Sequence, residues 1–196
     1  MRKRRIVPWL LAFAVVAAGF GLTREKAQEV QKINAKVVEV GNIGYGSMEL
    51  NPLREDQYPK LSQTVKEYYA TLRKDSGFIE YYDNVRVYTK HGKTAGTYIA
   101  FVTYEMKIKD IYTKVPGLGT LYITKENMEE DTYRIEKDKH SPQVKQCVAA
   151  LSEHEDVQEL LAEVNARYEQ AVNSDALLKE ALTDLKNAYE RQAESE

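Results

Sequence analysis

Along Thr97–Asp110, TYIAFVTYEMKIKD, side chains alternate with a period of two, and this alternation restricts the fold more than any other stretch. Successive side chains of an extended chain point to opposite sides of a sheet. Tyr98, Ala100, Val102, Tyr104, Met106 and Ile108 therefore share one face. On the other face Ile99 and Phe101 are apolar, and then Thr103, Glu105 and Lys107 turn polar. The strand is expected to be covered on both sides at one end and to meet water at the other.

Its neighbours in sequence read as strands as well. Tyr81–Lys90, YYDNVRVYTK, is rich in β-branched and aromatic residues and stops at a His-Gly-Lys turn. Val115–Glu126, VPGLGTLYITKE, supplies a third strand, NMEED a turn, and Thr132–Asp138 a short fourth. Short loops between consecutive strands predict an antiparallel meander. Before it, Leu61, Val65, Tyr68, Tyr69 and Leu72 recur at helical spacing between Pro59 and Lys74, with Gly77 just beyond. After Ser141 and Pro142 the period returns to helical. Val144, Val148 and Leu151 mark a short helix. A second runs over about 153–172 with Val157, Leu160, Leu161, Val164, Tyr168 and Ala171 on one stripe. Asn173, Ser174 and Asp175 offer a cap for a third, over 176–191, bearing Leu177, Leu178, Ala181, Leu182, Leu185 and Tyr189.

The chain opens on Arg2, Lys3, Arg4 and Arg5, followed by seventeen uncharged residues from Ile6 to Leu22. Lipid accepts the apolar run, and the cations stay on the cytoplasmic side, so everything downstream is expected outside. Seventeen residues is short for a span, and both an uncleaved anchor and a removed signal peptide fit. No cysteine stands directly after the run, so a lipoprotein anchor is not expected. A charged juxtamembrane helix is expected over 23–40, with Val30, Ile33 and Val37 on a narrow stripe, and 41–52 reads as a linker, the alternative being an ordered edge segment or first loop of the domain. The resulting domain plan is 1–22 anchor, 23–56 juxtamembrane helix and linker, 57–151 α+β domain, and 152–196 C-terminal helices.

Charge is uneven although the formal net value is only -2. From Ser152 to Glu196 twelve acids face four bases. No block is basic enough for a nucleic-acid surface, so no nucleic-acid partner is expected.

A helix, four antiparallel strands and further helices behind one N-terminal anchor resemble the NTF2-like (cystatin-like α+β) superfamily. Within the chain, VTYEMKIKDI and VPGLGTLYI resemble uncharacterised membrane-anchored proteins of Gram-positive gut bacteria, over about residues 57–170. The resemblance implies a curved sheet wrapped around a helix to leave a cone-shaped pocket, and an envelope location. It implies no chemistry, because that superfamily hosts isomerases, dehydratases, binding modules and scaffolds.

The sequence carries no nucleophile elbow, phosphate loop, dinucleotide fingerprint or zinc-protease motif, so no cofactor and no metal is expected. Gly117-Leu118-Gly119 is a place where the backbone bends. Cys147, the one cysteine, reads as a small apolar core residue. His91, His140 and His154 are scattered, each with a solvated or capping role expected, and His154-Glu155-Asp156 reads as helix neighbours pointing apart. The fourteen tyrosines are the unusual feature. Tyr98, Tyr104, Tyr122 and Tyr133 are the ligand-pocket candidates, since a phenol pairs a flat apolar face with a polar tip; packing is the competing role. An enzyme would use Asp110 or Glu105 as base beside Tyr104 or Tyr122. The favoured function is a non-enzymatic, single-pass envelope protein that binds a partner protein or envelope ligand, with docking or self-association through the C-terminal helices. The alternatives are a scaffold subunit of a secretion or conjugation complex, and an isomerase- or dehydratase-like pocket enzyme.

Overall fold

The structure is a computed structural model describing residues 47–72, 78–127, 130–136 and 141–193. The anchor at 6–22, the helix at 23–40, Gly77, His140 and the Tyr189 side chain lie outside the described residues. Among the described residues no helix is long and apolar enough to cross a membrane.

The chain is α+β, with a five-stranded antiparallel sheet and four helices. In order these are β1 (Arg54–Glu55), α1 (Pro59–Leu72), β2 (Ile79–His91), β3 (Thr97–Ile108), β4 (Val115–Asn127), β5 (Thr132–Ile135), α2 (Pro142–Ser152), α3 (Glu155–Ser174) and α4 (Ala176–Ala193). Strand order follows the sequence. The expected meander is present, with one strand more than the four foreseen: β1 is two residues long and pairs with Tyr88 and Thr89. Its brevity explains why the alternation rule misses it.

Central β3 is buried along nearly its whole length. Its even-numbered residues join Leu61, Val65, Tyr69 and Leu72 of α1 in one core. Its odd-numbered Ile99 and Phe101 meet Cys147 and Leu151 of α2 and Val157, Leu160 and Val164 of α3 in a second core on the other face. Cys147 is buried as a thiol, as the sequence reading expects of a small core residue. At the far end of that face Glu105 receives Arg167 of α3 at 2.7 Å and the Asn84 amide at 2.8 Å. Bulges in β2 between Ile79 and Tyr81 and between Asp83 and Arg86, and in β4 between Lys125 and Asn127, bend the strands. Asn84 takes a left-handed conformation (φ 49°) within the second β2 bulge.

Two boundaries differ from the sequence reading. The body begins before residue 57: Asn51 is buried, Leu53 packs on the second core, and Arg54–Glu55 extend the sheet. This stretch lacks a hydrophobic period, and polar contacts hold it instead. The C-terminal helices are also no appendage. Much of their stripes packs inside: Val157, Leu160, Val164, Ala171 and Leu178 are buried and Leu161, Leu182 and Leu185 partly so, while Leu177 stays exposed. The N-terminal half of α3 lies on the second core, whereas Tyr168, Ala171 and Val172, with Leu178, Leu182 and Leu185 of α4, join the first. Helix α3 thus passes alongside β4, whose outer edge β5 covers only from Ile123 onward.

Candidate functional site: an aromatic face at one end of the sheet

The strand ladder divides the four candidate tyrosines three ways. His91, the last residue of β2, stands directly opposite Tyr98 near the start of β3. Their rings lie 5.4 Å apart between centroids. Tyr133 on β5 approaches Tyr98 at 5.8 Å. Tyr58, one residue ahead of α1, completes the group at 4.8 Å from Tyr98, and its hydroxyl lies 3.0 Å from His91 Nε2. Tyr98 is buried at the base, Tyr58 and Tyr133 are half-buried, and His91 is exposed.

Polar groups frame these rings. Lys125, the β4 partner of Tyr133, pairs with Asp131 at 2.5 Å. Lys60 Nζ donates to the Glu130 carbonyl at 3.2 Å. The Asn51 side chain grips the His91 backbone, donating from Nδ2 to its carbonyl at 2.9 Å and accepting its N–H at 2.8 Å. Burial and the neighbouring Tyr98 push the hydroxyls of Tyr58 and Tyr133 up, so both stay protonated at neutral pH and can donate. The Lys125–Asp131 hydrogen bond raises the ammonium and lowers the carboxyl. The arrangement offers flat apolar surface, phenol and imidazole hydrogen bonds and a fixed ion pair. It suits a ligand with both C–H faces and hydroxyl or amide groups.

Tyr104 goes elsewhere on the same face. It stacks with Tyr69 and Tyr82 at 5.3 and 5.2 Å, and Tyr68 extends the group. Burial raises all four hydroxyls, those of Tyr68 and Tyr82 to about 12. Gly117 and Gly119 are the floor of this cluster. A methyl at Gly117 would stand 2.6 Å from ring carbons of Tyr104, and one at Gly119 would overlap the Tyr69 hydroxyl. The expectation of a backbone bend at Gly-Leu-Gly is therefore corrected: both glycines sit inside regular β4 and are required by the rings laid over them.

Tyr122 does not belong to either group. It lies on the opposite face of β4, across from Ile99, and packs on the second core. The proposed acid–base set is not assembled. Glu105 and Tyr104 are successive residues of β3 and point to opposite faces. Glu105 shares a face with Tyr122, but six residues of strand, about 20 Å, separate it from Tyr122's partner Ile99. Asp110 is exposed in the β3–β4 turn with φ 63°.

A second polar cluster escaped the sequence reading. Lys90 is fully buried on the second face and donates to the Asn51 carbonyl at 2.7 Å and to Asp156 Oδ2 at 2.8 Å. Its Nζ lies 3.0 Å from His154 Nδ1. His154 precedes α3 with extended backbone angles and makes no side-chain cap, so its ring folds toward the same ammonium as Asp156. His154 stands at the N-cap position of α3, but its side chain caps nothing and turns to the ammonium that Asp156 also binds, so the capping role fails and residues 154 and 156 converge instead of diverging. The available signal was a lysine in an apolar strand register, with a complementary acid far along the chain. Among the described residues no cluster of His, Cys, Asp and Glu is arranged to hold a metal. No family model, curated protein or solved structure matches the chain.

Proposed function

We propose that this is a non-enzymatic, single-pass envelope protein whose extracytoplasmic body, of NTF2-like type, binds a partner protein or envelope ligand through the Tyr58–His91–Tyr98–Tyr133 face. One observation carries the reading: three phenols and an imidazole from four separate segments converge at one end of the sheet, with Tyr58 and Tyr133 half-buried and His91 exposed over a buried Tyr98. The anchor read at 6–22 would hold this face at the membrane surface and raise its effective concentration near membrane-bound partners. A helix followed by an antiparallel meander supports the NTF2-like assignment.

A second docking surface is favoured by a specific contact. Asp175 between α3 and α4 hydrogen-bonds Thr113 of the β3–β4 loop. On either side of that contact Tyr112 and Leu177 are 95% and 63% exposed. This is what remains for docking by the C-terminal helices once much of their stripes is buried.

Site-specific photocrosslinking of the full-length chain in intact cells tests both. A photoreactive residue at His91 is expected to give a discrete adduct, and the same residue at exposed Glu67 on α1 none. Adducts only from Tyr112 would move the function to the second surface. Equal labelling from all three positions would remove both.

A further inference from the structure

The buried Lys90 cluster lies outside the proposed binding face but is joined to it through Asn51. An ammonium has donors only, so a ring nitrogen 3.0 Å from Lys90 Nζ must present a lone pair. His154 is therefore neutral, with its proton on Nε2. The other acceptors are the Asn51 carbonyl and Asp156 Oδ2, and the latter also accepts the Leu53 N–H at 2.7 Å. Strap 47–53 is thus fastened to β2 and α3 by one ammonium and one carboxylate. The same Asn51 fixes the His91 backbone from its side chain, and His91 meets Tyr58.

We propose that protonation of His154 opens this latch, freeing strap 47–53 from Lys90 and loosening the His91–Tyr58 end of the aromatic face. A proton taken from solvent onto Nδ1 leaves two cations facing each other with no acceptor between them. The groups that face the imidazole are Lys90 from β2, Asp156 from α3 and Glu49 from the turn at 48–50. Burial and the Lys90 charge push the imidazole below its usual range, against the opposing pull of Asp156 and Glu49. Burial pushes the Asp156 carboxyl up, but the hydrogen bonds from Lys90 and Leu53 outweigh it and keep that acid ionised. Two carboxylates lie near the second cation, Asp156, already bound to Lys90 through Oδ2, and Glu49 on the exposed turn at 48–50, so the added charge is only partly offset. Separating the two cations relieves the clash, and a departing Lys90 parts from the Asn51 carbonyl that holds the strap.

This regulation rests on the binding face proposed above for its consequence, but it is tested without a ligand. The full-length chain in lipid nanodiscs is followed by hydrogen exchange and mass spectrometry. Exchange at histidine C2 reads the His154 midpoint, expected below the ordinary value of about 6.5. Amide protection of 47–53, corrected for intrinsic pH dependence, is expected to fall as pH goes from 7 to 5, by up to about tenfold per unit of depression. His154→Asn keeps an acceptor but cannot titrate, and should hold protection constant over that range. It also separates His154 from His91, whose backbone touches the strap. Lys90→Met should move the His154 midpoint upward. Constant protection in the natural chain, or an undiminished pH dependence in His154→Asn, overturns the latch. Should His154→Asn not fold, a natural His154 midpoint at or above about 6.5 overturns it alone. Crosslinking from position 91 reports on the binding face independently, so the two failures are distinct.

Discussion

Replacing Gly119 by alanine tests whether the glycines of β4 exist to admit the tyrosines above them. The added methyl would overlap the Tyr69 hydroxyl, while the next atom of that ring, Cζ, is 3.6 Å away, an ordinary contact. Tyr69 cannot swing aside freely, because it is 5% exposed and wedged between Tyr82 and Tyr104 at 5.4 and 5.3 Å. Overpacking of this kind costs about 1–3 kcal/mol. In a Tyr69→Phe background the obstructing oxygen is gone, and Gly119→Ala should cost less than about 0.5 kcal/mol relative to that background. The coupling energy of the double-mutant cycle is then about 0.5–3 kcal/mol. At Gly117 the same rescue must fail, since the methyl meets ring carbons Cε2 and Cζ of Tyr104 at 2.6 Å as well as the hydroxyl at 2.7 Å. Tyr104→Phe leaves that clash in place, and only a smaller side chain relieves it. Urea denaturation followed by far-ultraviolet circular dichroism gives all the required free energies. A Gly119→Ala penalty that persists unchanged in the Tyr69→Phe background would refute the steric argument.

Lys90→Met should cost about 3–5 kcal/mol, because it strands the mostly buried Asp156 carboxylate, and Lys90→Met with Asp156→Leu should recover part of that loss. The depressed His154 imidazole favours its neutral form in the fold, so its contribution is complete above about pH 6.5 and declines as pH falls through the folded value. The urea midpoint between pH 7 and 5 should drop more steeply in the natural chain than in His154→Asn. The raised tyrosines act in the opposite direction: stability is full below about pH 10 and is lost as pH climbs through the elevated folded values of Tyr69, Tyr82 and Tyr104. Absorbance at about 295 nm should therefore show these phenols ionising together with alkaline unfolding. Tyr133→Ala should leave the unfolding free energy within about 1 kcal/mol of the natural chain while removing the adduct from position 91.

The strands and helices were legible because each buries a periodic stripe, and period alone assigns Val65 to α1 and Val102 to β3. Face assignment within one strand was legible too, which is why Tyr98 and Tyr104 share a face. Relations between strands were not. Whether Tyr122 faces with Tyr98 depends on the register Tyr98↔Ile123, and a one-residue shift would reverse the answer. Tyr58 and His91 were missed as site members because their meeting depends on Asn51, reached through contacts forty residues apart. Burial of Lys90 was equally hidden, since its partners stand 39 and 66 residues away along the chain.

The passage of α3 beside β4 has a consequence for how the chain is made. A sheet whose last long strand is shielded by a helix from the final quarter of the sequence is synthesised with its hydrogen-bonding groups bare. Nascent chains ending before about residue 165 would carry that bare margin and recruit one another by strand addition. Quality control by chaperones should thus act on this protein late, and a C-terminal nonsense mutation should yield aggregate rather than a shortened working form.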